Sequence, residues 1–300
     1  MNVIETKELC KRYGKNLVVD HVNLHVPEGS IYGFVGENGS GKTTIMRLLM
    51  GLANPTSGDY SLFDISSKDS QIYKIRNQIS AIVEAPSLVP TMTAKQNLEY
   101  ACLYYGVKDF SIIDKVLRQV GLGDTNKKKV KNFSLGMKQR LGIAVLLLNN
   151  PKLLLLDEPM NGLDPQGIAE LRELIIQLNK EGITFLISSH ILAELEKVAT
   201  HWGFISHGKL LKEISSEKLI NECQKSIDIS YKDLVLLAKV LKDIGIDNFE
   251  QIPNKTIRIY DEITPINLLS KLQKLSIEIN EIQTNDLNVE DYYLSLTGRR

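Results

Sequence analysis

Short apolar runs open the chain, give way to helical spacing, and alternate with it thereafter. Asn2–Leu9 and His21–Val26 read as strands, the second with Val22, Leu24 and Val26 on one face. Ser30–Val35 is a compact apolar strand that runs directly into glycines. From Lys42 the period becomes helical, with Ile45, Leu48 and Leu49 on one face and Gly51 as the stop. Residues 88–150 read as mostly helical, and Thr93-Ala94-Lys95-Gln96 is a capping box that satisfies orphan amides reciprocally. Lys152–Leu156 is a continuous apolar run ending in acids, the pattern of a strand buried on both faces. Asp164 and Pro165 supply an N-cap and a first-turn proline for a helix whose apolar face is Ile168, Leu171, Leu174, Ile175 and Leu178. Ile183–Ser188 is another buried strand. Strands alternating with helices in this way predict an α/β fold, with a mainly parallel sheet covered on both faces.

Near Ser215 the pattern changes. A helix, a strand (Ser226–Ser230), a helix (Asp233–Ile244), a hairpin (Asn248–Tyr260), a helix (Pro265–Leu275), a strand and a terminal helix follow. That is close to a βαββαβ, ferredoxin-like order. The expected division is therefore residues 1–215 and a smaller α+β domain at 216–300, in line with about 150 residues per domain.

Charge and composition narrow the function. Thirty-six basic residues balance thirty-six acidic ones, so whole-chain attraction to nucleic acid is not expected. The run Lys127-Lys128-Lys129-Val130-Lys131 lacks interleaved aromatics and reads as a solvated face. Cys10, Cys102 and Cys223 form no CxxC pair and read as free thiols of a reducing compartment. The start shows no secretory apolar core. The most apolar stretch, Leu141–Leu156, is broken by Asn149, Asn150, Pro151 and Lys152, whereas a spanning helix needs about 20 mostly apolar residues. No direct membrane span is expected.

The candidate chemistry lies where strands meet helices. Gly36-Glu37-Asn38-Gly39-Ser40-Gly41-Lys42-Thr43 fits GxxxxGK[ST] between a buried strand and a helix start. Glycines let backbone amides converge on anionic oxygens, the helix N-terminus adds favourable potential, Lys42 reaches β/γ-phosphates, and Thr43 can ligate Mg²⁺. Asp157 and Glu158 end the apolar run, where acids of an open parallel sheet face its ligand crevice. Asp157 is placed to hold Mg²⁺ through water, and Glu158 is the candidate general base toward an attacking water.

With these residues in place, the chain resembles the nucleotide-binding subunit of an ABC transporter over roughly residues 1–215. Asn132-Phe133-Ser134-Leu135-Gly136-Met137-Lys138-Gln139-Arg140 resembles the ABC signature, with Leu135 and Met137 departing from the usual LSGGQ. Tyr13 resembles the aromatic that stacks on adenine, although a tyrosine in such a hairpin also serves as packing. Asn161-Gly162-Leu163-Asp164 resembles the D-loop, and His190 the switch histidine of the γ-phosphate. Glu84 stands where the family has glutamine, a Mg²⁺ ligand whose loop relays nucleotide state. A surface carboxylate without a metal role is the alternative there. Glu84 and the Ser134–Met137 variant resemble the subfamily that exports bacitracin-type and lantibiotic peptides.

The resemblance implies a P-loop NTPase of ABC type, with an antiparallel β subdomain, an α-helical subdomain and the smaller C-terminal α+β domain. It implies ATP contacts from Tyr13, from Gly36, Glu37, Asn38, Gly39, Ser40, Gly41, Lys42, Thr43 and Thr44, and from Glu84, Ser134, Gly136 and Asp157. Thr43, Glu84 and Asp157 would serve Mg²⁺, while Glu158, His190 and Lys42 would act in hydrolysis. ATP would be sandwiched in a head-to-tail dimer with a second copy or a similar subunit. Transmembrane permease subunits would be the partners, and the place the cytoplasmic face of the membrane. A chromosome-maintenance ATPase would need a long heptad insert between Lys42 and Ser134, where about ninety residues lie. A ribosome-associated ABC protein normally carries two cassettes, and an unrelated P-loop kinase would lack Ser134–Met137 and His190.

Overall fold

The computed structural model describes residues 1–298 except 126, 224–225, 254, 262, 276, 278 and 286–287. The chain forms two compact units, Met1–Ser216 and a second from Glu217 onward.

The first unit is built on two sheets. Asn2–Tyr13 is the spine of an antiparallel sheet, flanked by Asn16–Val22 and His25–Pro27 along one edge and by Ser57–Leu62 along the other, with Ile65–Ser66 outermost. The single strand expected at His21–Val26 is thus divided. Its physical cause is Thr6, whose buried hydroxyl donates to the Val22 carbonyl (2.7 Å) and accepts from the Leu24 amide (2.8 Å). The threonine bridges the break, so the backbone groups at the interruption stay paired.

The second sheet runs Lys209–Ser215, His201–Ser206, Ile31–Val35, Thr184–Ser189, Leu153–Asp157, Ile79–Ile82. Every neighbouring pair is parallel except the hairpin at the Lys209–Ser215 edge. Its central strands, Ile31–Val35, Leu153–Asp157 and Thr184–Ser189, are buried at every position, which is why they read as unbroken apolar runs rather than alternating ones. Helix Lys42–Leu49 packs on Leu153–Asp157, with Ile45, Met46, Leu48 and Leu49 fully buried. Helices Ala94–Tyr105, Ile112–Gln119 and Leu135–Leu147 pack together as a helical layer, and the last of them also packs on strand Ile79–Ile82 and helix Pro165–Lys180. The Thr93 capping box forms, with the hydroxyl accepting from Gln96 N (3.2 Å) and the Gln96 side chain accepting from Thr93 N (3.0 Å).

One glycine of the core sits in unusually close quarters. A Cβ on Gly203 would lie 2.4 Å from Tyr32 Oη and 2.9 Å from its ring. Tyr32 is itself buried and donates to Glu213 (2.6 Å), and burial raises its phenol well above the ordinary range. Gly203→Ala is therefore expected to destabilise this unit by about 1–3 kcal/mol. A thermal melt should show its midpoint falling by several degrees.

In the second unit, Ser226–Ser230, Phe249–Ile252, Thr256–Ile259 and Glu281–Asn285 form an antiparallel sheet. Ordered second, third, first, fourth, with helices Leu234–Asp243 and Pro265–Lys274 between strands, it has the ferredoxin-like arrangement. Ile227, Ile229, Ile257 and Ile259 pack against Leu237, Leu241, Leu268 and Leu272. Asp228 and Arg258, half-buried neighbours on adjacent strands, form a two-pronged ion pair at 2.8 Å. Among the described residues of the whole chain, no helix is long and apolar enough to cross a membrane.

Candidate active site

Three parallel strands deliver their C-terminal ends to one crevice. Ile31–Val35 leads into the glycine loop, Leu153–Asp157 into Glu158, and Thr184–Ser189 into His190. The register sets Asp157 beside Ser188 and Val35 beside Ser189, so the three exits lie level.

Gly41 is the N-cap of helix Lys42–Leu49 at φ 107°, a conformation that L side chains rarely adopt, and a Cβ there would meet the Val18 carbonyl at 2.8 Å. Val18 belongs to the hairpin partner of Asn2–Tyr13, which thereby closes over the loop. Tyr13 stands at the end of that hairpin, half exposed, with Lys11 Nζ 4.9 Å from its ring centre. Gly36 and Ser40 are buried, Glu37, Thr43 and Thr44 intermediate, and Asn38 and Gly39 exposed at the loop tip. The loop is braced from below, because Ser40 N donates to Glu37 O (3.1 Å) and Gly208 N to Ser40 O (3.0 Å).

The charged groups converge. Lys42, 5% exposed, donates to the carbonyls of Gly36 and Glu37 and lies 3.4 Å from Glu158 Oε1. Thr43 Oγ1 donates to Asp157 Oδ2 (2.7 Å). Asp157 is 4% exposed, and its other oxygen accepts from Ser188 Oγ. Ser188 does further work, taking the Glu158 amide on both its carbonyl (3.2 Å) and its hydroxyl (2.9 Å). That clamp holds Glu158 at φ 49°, off the strand path, so that its carboxylate turns toward the loop. Glu158 Oε2 meets His190 Nδ1 at 2.8 Å and the His190 amide at 3.3 Å. Lysine, glutamate and histidine thus form one chain, with the Thr43–Asp157 pair beside it.

The other sequence candidates lie apart from this cluster. Ser134 caps helix Leu135–Leu147, its hydroxyl accepting from Met137 N (3.2 Å). Gly136, the second residue of that helix, passes close to Gly167, where a Cβ would find the Gly167 Cα at 3.4 Å. Glu84 follows strand Ile79–Ile82 in a left-handed conformation (φ 73°) and is bound by Arg47 of the helix after the glycine loop. Ser188 and Arg47 are the two residues that sequence reasoning passed over. Ser188 carries one signal, a hydroxyl ending an apolar strand. Arg47 carries none, since it reads as the exposed side of an amphipathic helix.

A glycine loop between a buried strand and a helix, faced by adjacent acids from the strand two places along the same sheet, defines a P-loop NTPase. Residues 19–161 match the family model described as ABC transporter. The chain is 42% identical to the bacitracin transport ATP-binding protein BcrA of Bacillus licheniformis, over 99% of this chain and 97% of that protein. It is 45% identical to the lantibiotic transport ATP-binding protein SrtF of Streptococcus pyogenes, over 70% of this chain and 90% of that protein. Among solved structures, an ATP-binding subunit of an ABC transporter superposes with a TM-score of 0.64 at 28% identity, over 73% of this chain and 92% of that one. An ATP-binding cassette solved as a post-hydrolysis dimer with ADP and Pi superposes at 0.63 with 25% identity, over 71% and 98%. The chain belongs to the ABC transporter family, as an ATP-hydrolysing, ATP-binding subunit.

Proposed function

We propose that this subunit powers export of a peptide antibiotic through separate transmembrane permease subunits, conferring immunity or resistance. The observation that carries the site reading is the single crevice in which Lys42, Glu158 and His190 adjoin the Thr43–Asp157 pair. The glycine-loop amides and Lys42 hold the ATP phosphates, with Tyr13 against the adenine. Glu158 accepts the proton of the attacking water, and His190, fixed by Glu158, meets the γ-phosphate. A hydroxyl and a carboxylate 2.7 Å apart at a helix N-terminus are the hard oxygen donors that Mg²⁺ prefers, so Thr43 and Asp157 would hold it. When bound, Mg²⁺ neutralises charge on the phosphates.

Ser134 and Gly136 lie on the helical layer, where they present a capped helix start for ATP held by a second subunit. Each site is then completed by its partner, and ATP closes a head-to-tail dimer, either of this chain or with a similar subunit. The place of action is the cytoplasmic face of the membrane. The names of the bacitracin and lantibiotic relatives support the peptide cargo.

A deletion strain tests the cargo. Bacitracin or lantibiotic sensitivity is expected to rise several-fold and to return to its former level with the intact gene. Unchanged sensitivity to both classes counts against this cargo. ATP hydrolysis by the purified chain, with and without the co-expressed membrane subunit, separates a transport subunit from a stand-alone enzyme. Glu84→Gln is expected to retain hydrolysis while altering resistance, and loss of neither would contradict a special role for this loop.

A further inference from the structure

Glu84 is held by a side chain that stands one helical turn from Thr43, one of the residues that would serve Mg²⁺. Arg47 lies four residues after Thr43 on helix Lys42–Leu49, so the two side chains occupy one face about 6 Å apart along it. The Arg47 guanidinium binds Glu84 Oε1, while the Thr43 hydroxyl binds Asp157. The guanidinium occupies one oxygen of this carboxylate, and its positive charge opposes a cation on the other. The backbone at Glu84 is also in the left-handed region, which disfavours a residue with a Cβ, so the ion pair helps to hold a strained loop. Beyond it, Pro86 packs against Gly142 of helix Leu135–Leu147, where a Cβ would lie 2.4 Å from the Pro86 ring. This contact joins the loop that carries Glu84 to the helical layer.

We propose that Arg47 is a positioning residue that latches Glu84 away from the Thr43–Asp157 pair, and that Mg²⁺-nucleotide must break this latch as the site loads. The inference rests on the ATP-site reading above. A glutamine at position 84 would keep a hydrogen bond from Arg47 but lose the pairing of opposite charges, so the latch depends on the carboxylate. Arg47 and Glu84 side chains are 42% and 68% exposed, which makes the pair weak, breakable and sensitive to salt. Its effect is to raise the Mg²⁺ concentration at which the site fills.

The test is a Mg²⁺ titration at a fixed concentration of a fluorescent, non-hydrolysable ATP analogue, read as the half-saturating Mg²⁺. Arg47→Gln is expected to lower that concentration about two- to fivefold, the worth of an exposed ion pair. Arg47→Lys, which keeps the charge pair, should stay near the unaltered protein. In a Glu84→Gln background, Arg47→Gln should have no effect. An unchanged or raised half-saturation in Arg47→Gln overturns the latch. An equal shift in both backgrounds overturns it too, since this would show simple repulsion between Arg47 and the ion. If the unaltered chain binds no analogue at any Mg²⁺ concentration, the ATP-site reading fails and takes the latch with it.

Discussion

Glu158→Gln is expected to bind ATP and accumulate as a closed dimer, while turnover falls by about two to four orders of magnitude. The amide keeps the shape of the side chain and can still accept from His190 Nδ1, now 2.8 Å from Glu158 Oε2. It cannot take a proton from water. It also removes a negative charge that lies 3.4 Å from Lys42, leaving the ammonium free to favour phosphate. Single-turnover hydrolysis and gel filtration with ATP read the two effects separately. Hydrolysis at the normal rate would remove Glu158 as the base.

Lys42→Ala is expected to weaken ATP binding by at least about two orders of magnitude, the range for losing one partner of a buried charged contact. The ammonium is 5% exposed, so its interaction with phosphate is poorly screened. Its removal also strips a donor from the Gly36 and Glu37 carbonyls that it now bridges. Calorimetry with ATP measures the loss, and circular dichroism checks that the fold persists. An unchanged affinity would contradict the assignment of this loop to phosphate.

Local features of the chain were the most legible. The loop at Gly36–Thr43, the acids after the Leu153–Leu156 run and the cap at Thr93 each depend on residues within a few positions, and the spacing alone predicts their elements. Boundaries moved by one residue at the three central strands, which run Ile31–Val35, Leu153–Asp157 and Thr184–Ser189. The edge elements were harder. Ile79–Ile82 and the hairpin His201–Ser215 have short or mixed patterns that only sheet pairing resolves. Within the site, Ser188 escaped notice because its partners, Asp157 and the Glu158 amide, are set by the register of two strands thirty residues apart. Arg47 escaped for a similar reason, its partner Glu84 arriving from a different strand.

The double use of Ser188 has a consequence for anyone recombining such subunits. Its hydroxyl and carbonyl tie the end of one strand to the first residue beyond the other, and the next residues on each side, Glu158 and His190, bind one another. A slip of one residue between these strands is about 3.3 Å, more than a hydrogen bond can follow. Strands Leu153–Asp157 and Thr184–Ser189 therefore form the smallest exchangeable piece, and a chimera that imports one without its mate inherits a correct motif in the wrong alignment.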